Sequence, residues 1–267
     1  MMTFDHYLQQ ATEQDSLTMD SSWSQGRTSF GGLSAAMSIA RLSRLSGDHT
    51  LRSVAVNFCA PLKTAEPLTF TEQVLARGGS VSHIQGDVVQ NAAVCAHITA
   101  CFALARESDI LVEHHDLSLP PAGDGKPLPF IKGLTPDFTQ HVDFRFCDGG
   151  LPFTNSPHNH LKGWMRLKEA SGPMTPAHVI GLTDVWPPTP LQKLKSFGPC
   201  ATISWNMEMI HAPDDCQQPL QAGDWLWYEA EIRQSHGGYG HTEARICAAD
   251  GTLLALSRQL VAIYDKR

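Results

Sequence analysis

The sequence lacks the patterns that would assign it at once to a membrane, secreted or zinc-binding class. Its seven cysteines are an odd number and include no Cys-x-x-Cys pair, so we expect reduced, mostly buried thiols. The most apolar run, Ala92–Ala105, is too short to span a bilayer and is predicted to be a buried strand. Residues 1–15 contain neither the basic nor the apolar segment of a signal peptide. These absences predict a cytoplasmic protein that does not act at a membrane.

A surplus of basic residues is also missing. Lysine and arginine number 20 against 27 aspartates and glutamates, which gives a net charge of −7. This argues against nucleic acid and membrane surfaces as partners, because both require a dense basic face. The sequence also has no Gly-x-Ser-x-Gly, no glycine-rich phosphate loop with lysine and no His-Glu-x-x-His. Elbow-type serine hydrolases, nucleotide phosphatases and zincins are thereby excluded.

The sequence does contain an internal repeat, whose two copies lie on either side of a Pro/Gly/Asp-rich connection at Leu117–Phe130. In the first copy, Phe30–Leu45 has the apolar spacing of a helix, and Leu51–Pro61 alternates like a strand. Two further strands flank a turn at Arg77–Ser80. The apolar run described above is predicted to be the last strand of this copy.

The second copy repeats this order from a helix candidate at Thr175–Pro188. A strand at Ala201–Pro213 precedes a three-stranded meander whose turns carry His-Gly-Gly-Tyr and Ala-Asp-Gly. Because four consecutive strands follow one helix in each copy, the pattern predicts an α+β fold rather than a parallel α/β sheet. Each copy should then be an antiparallel sheet wrapped around its central helix. The predicted limits are 1–106 for the first repeat, 107–135 for the linker and 136–267 for the second repeat.

Six stretches, taken in order, resemble a known family. They are Ser29–Met37, Val56–Leu62, Gly163–Leu167, Gly181–Pro188, Ala201–Pro213 and Gly251–Tyr264. Together they resemble the acyl-CoA thioesterase II family and its thioesterase-like relatives, over roughly Trp23–Tyr264 and least between Arg106 and Pro136. The resemblance implies a double hotdog fold with two tandem hotdog repeats. It also implies a cytoplasmic homo-oligomer of lipid metabolism that hydrolyses acyl-CoA without a metal or redox cofactor.

The resemblance further implies a catalytic set in the second repeat. In that family a carboxylate, a hydroxyl and an amide hold the attacking water, and the matching positions here are Asp184, Thr202 and Gln259. Burial at an apolar helix end would raise the pKa of Asp184 and make it a better base. Thr202 and Gln259 can each donate and accept hydrogen bonds and so orient the water. From the residues alone, the alternative for Asp184 is a solvated position at a helix C-terminus.

Two further features concern the surroundings of this set. Strand alternation predicts that Thr202 lies on a polar face opposite Trp205, where water can reach it. Gly31 and Gly32 open the first helix, where backbone N–H groups can bind a substrate oxygen or phosphate. The alternative for the two glycines is close packing of the helix against its neighbours. Gln259 is predicted to lie among small residues on the last strand.

Two other functions stay open. One is a non-catalytic double hotdog that binds acyl-CoA, and the other is a hotdog hydratase or dehydratase. The second would need a catalytic histidine, and His178 lies six residues before Asp184, off its helical face. His158–His160 lies in a predicted turn without a partner at metal-ligand spacing, which disfavours a metal site. His114–His115 is predicted to be exposed linker.

The residues that would bind CoA and line the acyl pocket are less well defined by the sequence. The available cations are Arg77, Lys162 and Arg166, although such residues are usually surface charges. Four tryptophans are predicted to lie in the core or an interface rather than a cofactor site: Trp164, Trp186, Trp225 and Trp227. Since Trp186 follows closely after Asp184, we expect it to narrow the pocket or to cap it.

Overall fold

The computed structural model describes residues 1–112 and 118–265. Its α-helices are α1 (Phe4–Glu13), α2 (Gly31–Ser43) and α3 (Pro176–Thr183). Three short 3₁₀ helices cover Ser21–Trp23, Asp137–His141 and Thr189–Lys193. None of the helices in the described ranges is long and apolar enough to cross a membrane.

Fourteen strands account for most of the remaining regular structure in the described ranges. The first seven are β1 (Ser16–Thr18), β2 (Ser24–Gln25), β3 (Thr28–Ser29), β4 (Thr50–Phe58), β5 (Pro67–Arg77), β6 (Val81–Gln90) and β7 (Ala93–Ala103). The others are β8 (Lys126–Pro127), β9 (Val142–Gly149), β10 (His160–Leu167), β11 (Cys200–Met209), β12 (Leu226–His236), β13 (Tyr239–Cys247) and β14 (Leu253–Ile263). Twelve of them form one antiparallel sheet in the order β1-β5-β6-β7-β4-β11-β14-β13-β12-β10-β9-β8.

The sheet contains the predicted repeat twice, in mirrored order. After α2 come β4 to β7, and after α3 come β11 to β14, which confirms the predicted order of one helix and four strands. The two copies meet where β4 pairs with β11, at Val56 opposite Trp205. The predicted turn between β12 and β13 is confirmed at Gly237 and Gly238, whose positive φ angles of 62° and 81° suit a tight hairpin.

The two central helices lie in the core and contact each other. Helix α2 packs against β4, β6 and β7, whereas α3 packs against β10 and β14. Their close approach requires glycine, because a Cβ atom at Gly32 would lie 2.7 Å from the carbonyl oxygen of Gly181. This contact brings the start of α2 to the end of α3, and thus joins the first copy of the repeat to the second.

Helix α1 was not predicted, although its sequence has the required pattern. Thr3 caps the helix by accepting a hydrogen bond from the backbone N–H of His6, and four apolar residues at helical spacing are buried. The guanidinium of Arg41, on α2, donates hydrogen bonds to the carbonyl oxygens of Ala11 and Gln14 at the other end of α1. These bonds satisfy carbonyl groups that a helix C-terminus leaves unpaired.

The described part of the connection that follows residue 117 packs on the face of the sheet that is turned away from α3. There Leu119 packs onto a small cluster of Trp164, Trp227 and Cys247. The predicted exposed linker at His114–His115 lies outside the described residues. The predicted limits 1–106, 107–135 and 136–267 stay predictions.

Fewer cysteines are fully buried than the sequence predicts. All seven lie within the described residues and are free. Three are buried, three are partly buried, and Cys59 is exposed.

Candidate active site

Asp184 is the residue that follows the last turn of α3. It takes the C-cap position with φ −92° and ψ 0°, and Pro187 and Pro188 prevent the helix from continuing. The residue is partly buried and its carboxylate accepts a hydrogen bond from within the protein, which disfavours the alternative of a solvated helix end. Its carboxylate is directed to the interface between the two copies of the repeat, where two hydrogen-bond donors meet it.

These two donors come from different copies. The side-chain amide of Gln259, on β14, donates from Nε2 to Oδ1 of Asp184 over 2.9 Å. The backbone N–H of Gly32, in the first turn of α2, also donates to the carboxylate. The N-cap residue of α2, Phe30, provides no side-chain hydrogen bond, so Asp184 serves as the cap of this helix from the other copy. The carboxylate is therefore held at the positive end of a helix.

The protonation of Asp184 reflects opposing effects. Burial raises its pKa from 3.8 to about 7, although the hydrogen bonds from Gln259 and Gly32 act in the lowering direction. A carboxyl group with a pKa near 7 is ionised in part at neutral pH and can take a proton from water far better than an exposed aspartate. The predicted rise in the pKa of Asp184 is thus confirmed in direction and in cause.

Thr202 lies on the same face of the sheet as Gln259 and Trp205, whereas strand alternation predicted the face opposite Trp205. The register of β11 shifts between Thr202 and Ser204, so Ile203 is an extra residue and forms a bulge. Because of the bulge, Thr202 pairs with Val261, two residues along β14 from the Gln259–Trp205 pair. Directly opposed residues share one face of a sheet.

Thr202 therefore shares a face with Trp205 instead of lying opposite it. Its side chain is partly exposed. Within the part of the chain that the structure describes, Thr202 makes no hydrogen bond to Asp184 or Gln259. The structure thus joins Asp184 directly to Gln259, and the bulge puts Thr202 on the same face of the sheet as Gln259.

The two glycines of α2 have different surroundings. A Cβ atom at Gly31 would lie 3.1 Å from Oδ2 of Asp184 and 3.1 Å from the ring of Phe58, so this residue borders the carboxylate. Gly32 permits the contact between α2 and α3, and its N–H is already engaged by Asp184. Close packing, the alternative reading, therefore applies to Gly32. A substrate contact at Gly31 or Gly32 stays a prediction.

Two further groups near Asp184 were missed by the sequence reasoning. Burial and the negative charge of Asp184 raise the pKa of the Cys200 thiol to about 11 and raise that of the Tyr228 phenol above its usual value. Both groups therefore stay protonated near neutral pH. Neither belongs to a recognisable motif, because their proximity to Asp184 arises from the pairing of distant strands.

His178 has a structural role at the other end of α3. Its Nδ1 accepts from the backbone N–H of Thr175 over 3.1 Å, and Nε2 lies 2.7 Å from Oδ1 of Asp5 on α1. Both ring nitrogens are thus occupied, which leaves none for acid–base catalysis in this arrangement. Among the other histidines, His160 pairs with Asp148 at 3.0 Å. The described residues include no group of three or more side chains suited to hold a metal.

The cations available for CoA are already paired. Arg77 donates to the carbonyl oxygen of Leu45, Lys162 lies 2.9 Å from Glu229, and Arg166 lies 3.0 Å from Asp143. The prediction that the tryptophans belong to the core is confirmed for those that are almost fully buried, namely Trp164, Trp186 and Trp227. Trp225 is partly buried, and the guanidinium of Arg166 lies over its ring at 4.5 Å from the centroid.

Comparisons with known proteins agree with this architecture. Residues 19–103 match the family model of the acyl-CoA thioesterase N-terminal domain, and residues 119–263 match that of the C-terminal domain. No curated protein gives a significant match.

Solved structures share the fold. A protein with a hot dog fold from Alicyclobacillus acidocaldarius is 23% identical, with a TM-score of 0.81 over 94% of this chain and 93% of its own. An acyl-CoA thioesterase II from Mycobacterium marinum is 18% identical, with a TM-score of 0.69 over 94% and 93%. The likeness confirms the predicted double hotdog fold.

Proposed function

We propose a function on the premise that the chain belongs to the acyl-CoA thioesterase family: it hydrolyses a thioester of coenzyme A with a water molecule held by Asp184, Gln259 and Thr202. Family membership supports thioester hydrolysis in general. The acyl-CoA substrate and the roles of the three residues are the parts that we add. A homo-oligomer, a cytoplasmic location and a place in lipid metabolism stay predictions.

The proposed reaction needs no covalent intermediate. Asp184 takes a proton from the water as the water oxygen attacks the thioester carbonyl carbon, and the carbonyl oxygen becomes an oxyanion. When the tetrahedral adduct collapses, the carbon–sulfur bond breaks, and the proton passes from Asp184 to the departing CoA thiolate. The products are a free acid and CoA.

Each partner of Asp184 has a distinct task in this proposal. Gln259 uses its Nε2 for Asp184, so its Oε1 is left to accept a hydrogen bond from the water. Thr202 lies on the same face and supplies a hydroxyl that can donate or accept. The backbone N–H groups at the start of α2 are candidates to stabilise the oxyanion, and Gly31 is the nearer one to solvent.

The observation that carries the proposal is the state of the Asp184 carboxyl group. It is held by two donors from different copies of the repeat and has a pKa near the working range of a general base. A solvated helix end would require neither feature. The hydratase alternative is disfavoured because both ring nitrogens of His178 are occupied. The binding-module alternative is left for experiment to exclude.

The test is thiol release from a panel of short, long and aromatic acyl-CoAs. Asp184→Ala should lower kcat by ~10²-fold or more while the protein remains folded. The exposed Asp214, changed to Ala, is the matched control and should retain activity. If Asp184→Ala kept full activity, Asp184 would have no catalytic role and would act only as the cap of α2. No thiol release by the unchanged protein from any substrate would favour the binding module.

A further inference from the structure

The ring of Phe58, from the first copy of the repeat, lies close to the Asp184 carboxylate. A Cβ atom at Gly31 would lie 3.1 Å from Oδ2 of Asp184 and 3.1 Å from Cζ of Phe58. The carboxylate oxygen and the edge of the ring therefore border the same small space, and they are at most twice this distance apart. Phe58 is the last residue of β4, so its ring reaches from the sheet to the first turn of α2.

This space lies at the border between the protein interior and the solvent. Gly31, Phe58 and Asp184 are each partly exposed. The nearest atoms around the Cβ position at Gly31 are Oδ2 and two carbons of the Phe58 ring, Cζ and Cε1. Other sides of the carboxylate are taken by the donors Gln259 and Gly32. The ring therefore flanks the carboxylate on a side that water can approach.

The ionisation of Asp184 is governed by the exclusion of water. Burial raises its pKa to about 7, whereas the hydrogen bonds from Gln259 and Gly32 lower it. The other titratable groups that act on this region are the thiol of Cys200 on β11 and the phenol of Tyr228 on β12, and the raised pKa of each keeps it uncharged near neutral pH. Among the residues that the structure describes, no charged side chain contributes to the pKa of Asp184. The groups that keep water away therefore decide when this carboxyl group ionises.

We propose that Phe58 is a positioning residue of the site, whose ring closes the side of the Asp184 carboxylate next to Gly31 to water and so sets the pH range in which Asp184 acts as a base. This inference rests on the proposed function. A phenyl ring has no hydrogen-bond donor, so it cannot replace the water that it displaces from a carboxylate, and the ionised form is disfavoured. The first copy thus contributes an apolar shield in addition to the N–H group of α2.

The test is the pH dependence of kcat/KM in Phe58→Ala, with the acyl-CoA that the unchanged protein hydrolyses fastest. Without the ring, water can solvate Oδ2 of Asp184, so the acidic limb of the profile should move to lower pH by about one pH unit. The plateau above this limb should fall about threefold, because a less basic carboxylate takes a proton less readily. Phe58→Leu keeps an apolar side chain and should restore both values towards those of the unchanged protein. A purely structural role would lower the rate at every pH and leave the limb in place.

A second measurement needs no substrate. The carboxyl carbon of Asp184, labelled with ¹³C and assigned by its loss in Asp184→Asn, can be titrated in the NMR spectrum. Its titration should move to lower pH by about one pH unit in Phe58→Ala. The matched control is Phe146→Ala, which removes another partly buried ring, on β9, and should leave the titration of Asp184 in place. Phe58→Val suits a strand and removes most of the ring, so it serves if the alanine variant does not fold.

The two measurements separate this inference from the proposed function. An unchanged titration of Asp184 in Phe58→Ala, or an equal change in Phe146→Ala, would overturn the inference and leave the proposed hydrolysis intact. If the unchanged protein hydrolyses no thioester, the proposed function fails. A lower pKa of Asp184 in Phe58→Ala would then still support the shielding by this ring.

Discussion

Replacing Asp184 by asparagine should stabilise the protein at alkaline pH while it removes the proposed activity. Folding raises the pKa of the carboxyl group from 3.8 to about 7, because burial disfavours the charged form. Above pH 7 the carboxylate is charged in both states, and the folded state then bears the cost of burying the charge. Asparagine at this position bears no such cost.

The magnitude follows from the size of the shift. A shift of about 3 pKa units corresponds to at most about 4 kcal/mol. Because the folded-state pKa is the higher one, the protonated carboxyl group contributes this free energy in full below pH ~3.8. The contribution is lost as the pH rises through about 7. The loss is about 1.4 kcal/mol per pH unit between these limits. The advantage of Asp184→Asn over the unchanged protein should therefore grow by about 2–3 kcal/mol between pH 5 and pH 8.5.

The assay is urea denaturation of both proteins at pH 5, 7 and 8.5, with thiol release measured in parallel. Asparagine can still accept from Gly32, and the amide of Gln259 can turn to present its oxygen, so the fold should be retained. The exposed control Asp214→Asn should show no such growth with pH. A stability difference that is the same at pH 5 and pH 8.5 would contradict the raised pKa of Asp184.

Three further changes test contacts that hold the site in place. Gly32→Ala should lower the free energy of unfolding by about 1–3 kcal/mol and reduce activity, because the new methyl group would clash with the carbonyl oxygen of Gly181. Urea titration measures the first effect, and thiol release measures the second. Asp5→Ala should cost about 1–3 kcal/mol by leaving His178 without its partner. Burial raises the pKa of Asp5, but its hydrogen bonds lower it further, so the net shift is downward. The stability lost in Asp5→Ala should therefore be seen above pH ~4 and should vanish on further acidification. Thermal melting at a series of pH values checks this. Arg41→Met should destabilise the protein by about 3–5 kcal/mol and expose α1 to limited proteolysis, since this buried guanidinium holds the end of that helix.

The repeat could be predicted from the sequence because local patterns encode it. Alternation marks β4 and β11, glycine turns mark the hairpins, and apolar spacing marks α2. The pairing of β4 with β11 could not be predicted in the same way. Val56 and Trp205 are far apart in the chain, and nothing in either strand identifies its partner. Helix α1 has a visible pattern, but its role depends on Arg41, which no local pattern links to the end of this helix.

The candidate site was predicted only in part, for similar reasons. The resemblance located Asp184 and Gln259, which the structure joins by a hydrogen bond. It could not reveal the bulge at Ile203, since a bulge depends on how two strands align and has no fixed sequence signature here. The position of Thr202 was therefore predicted on the wrong face. The bond from Gly32 was also missed, because it crosses between the two copies.

The pairing of β4 with β11, where the two copies meet, also bears on how often such a site can form in one chain. Val56 on β4 lies opposite Trp205 on β11. On the outer side of each strand, Ile98 on β7 pairs with Val56, and Gln259 on β14 pairs with Trp205. The position equivalent to Gln259 in the first copy is thus occupied by an aliphatic residue, which can neither hold a carboxylate nor orient water. Two identical hotdog chains would form two equivalent sites by symmetry. In this chain the first copy contributes the helix terminus and the second contributes the polar groups, so the described residues hold the proposed Asp184–Gln259 arrangement once.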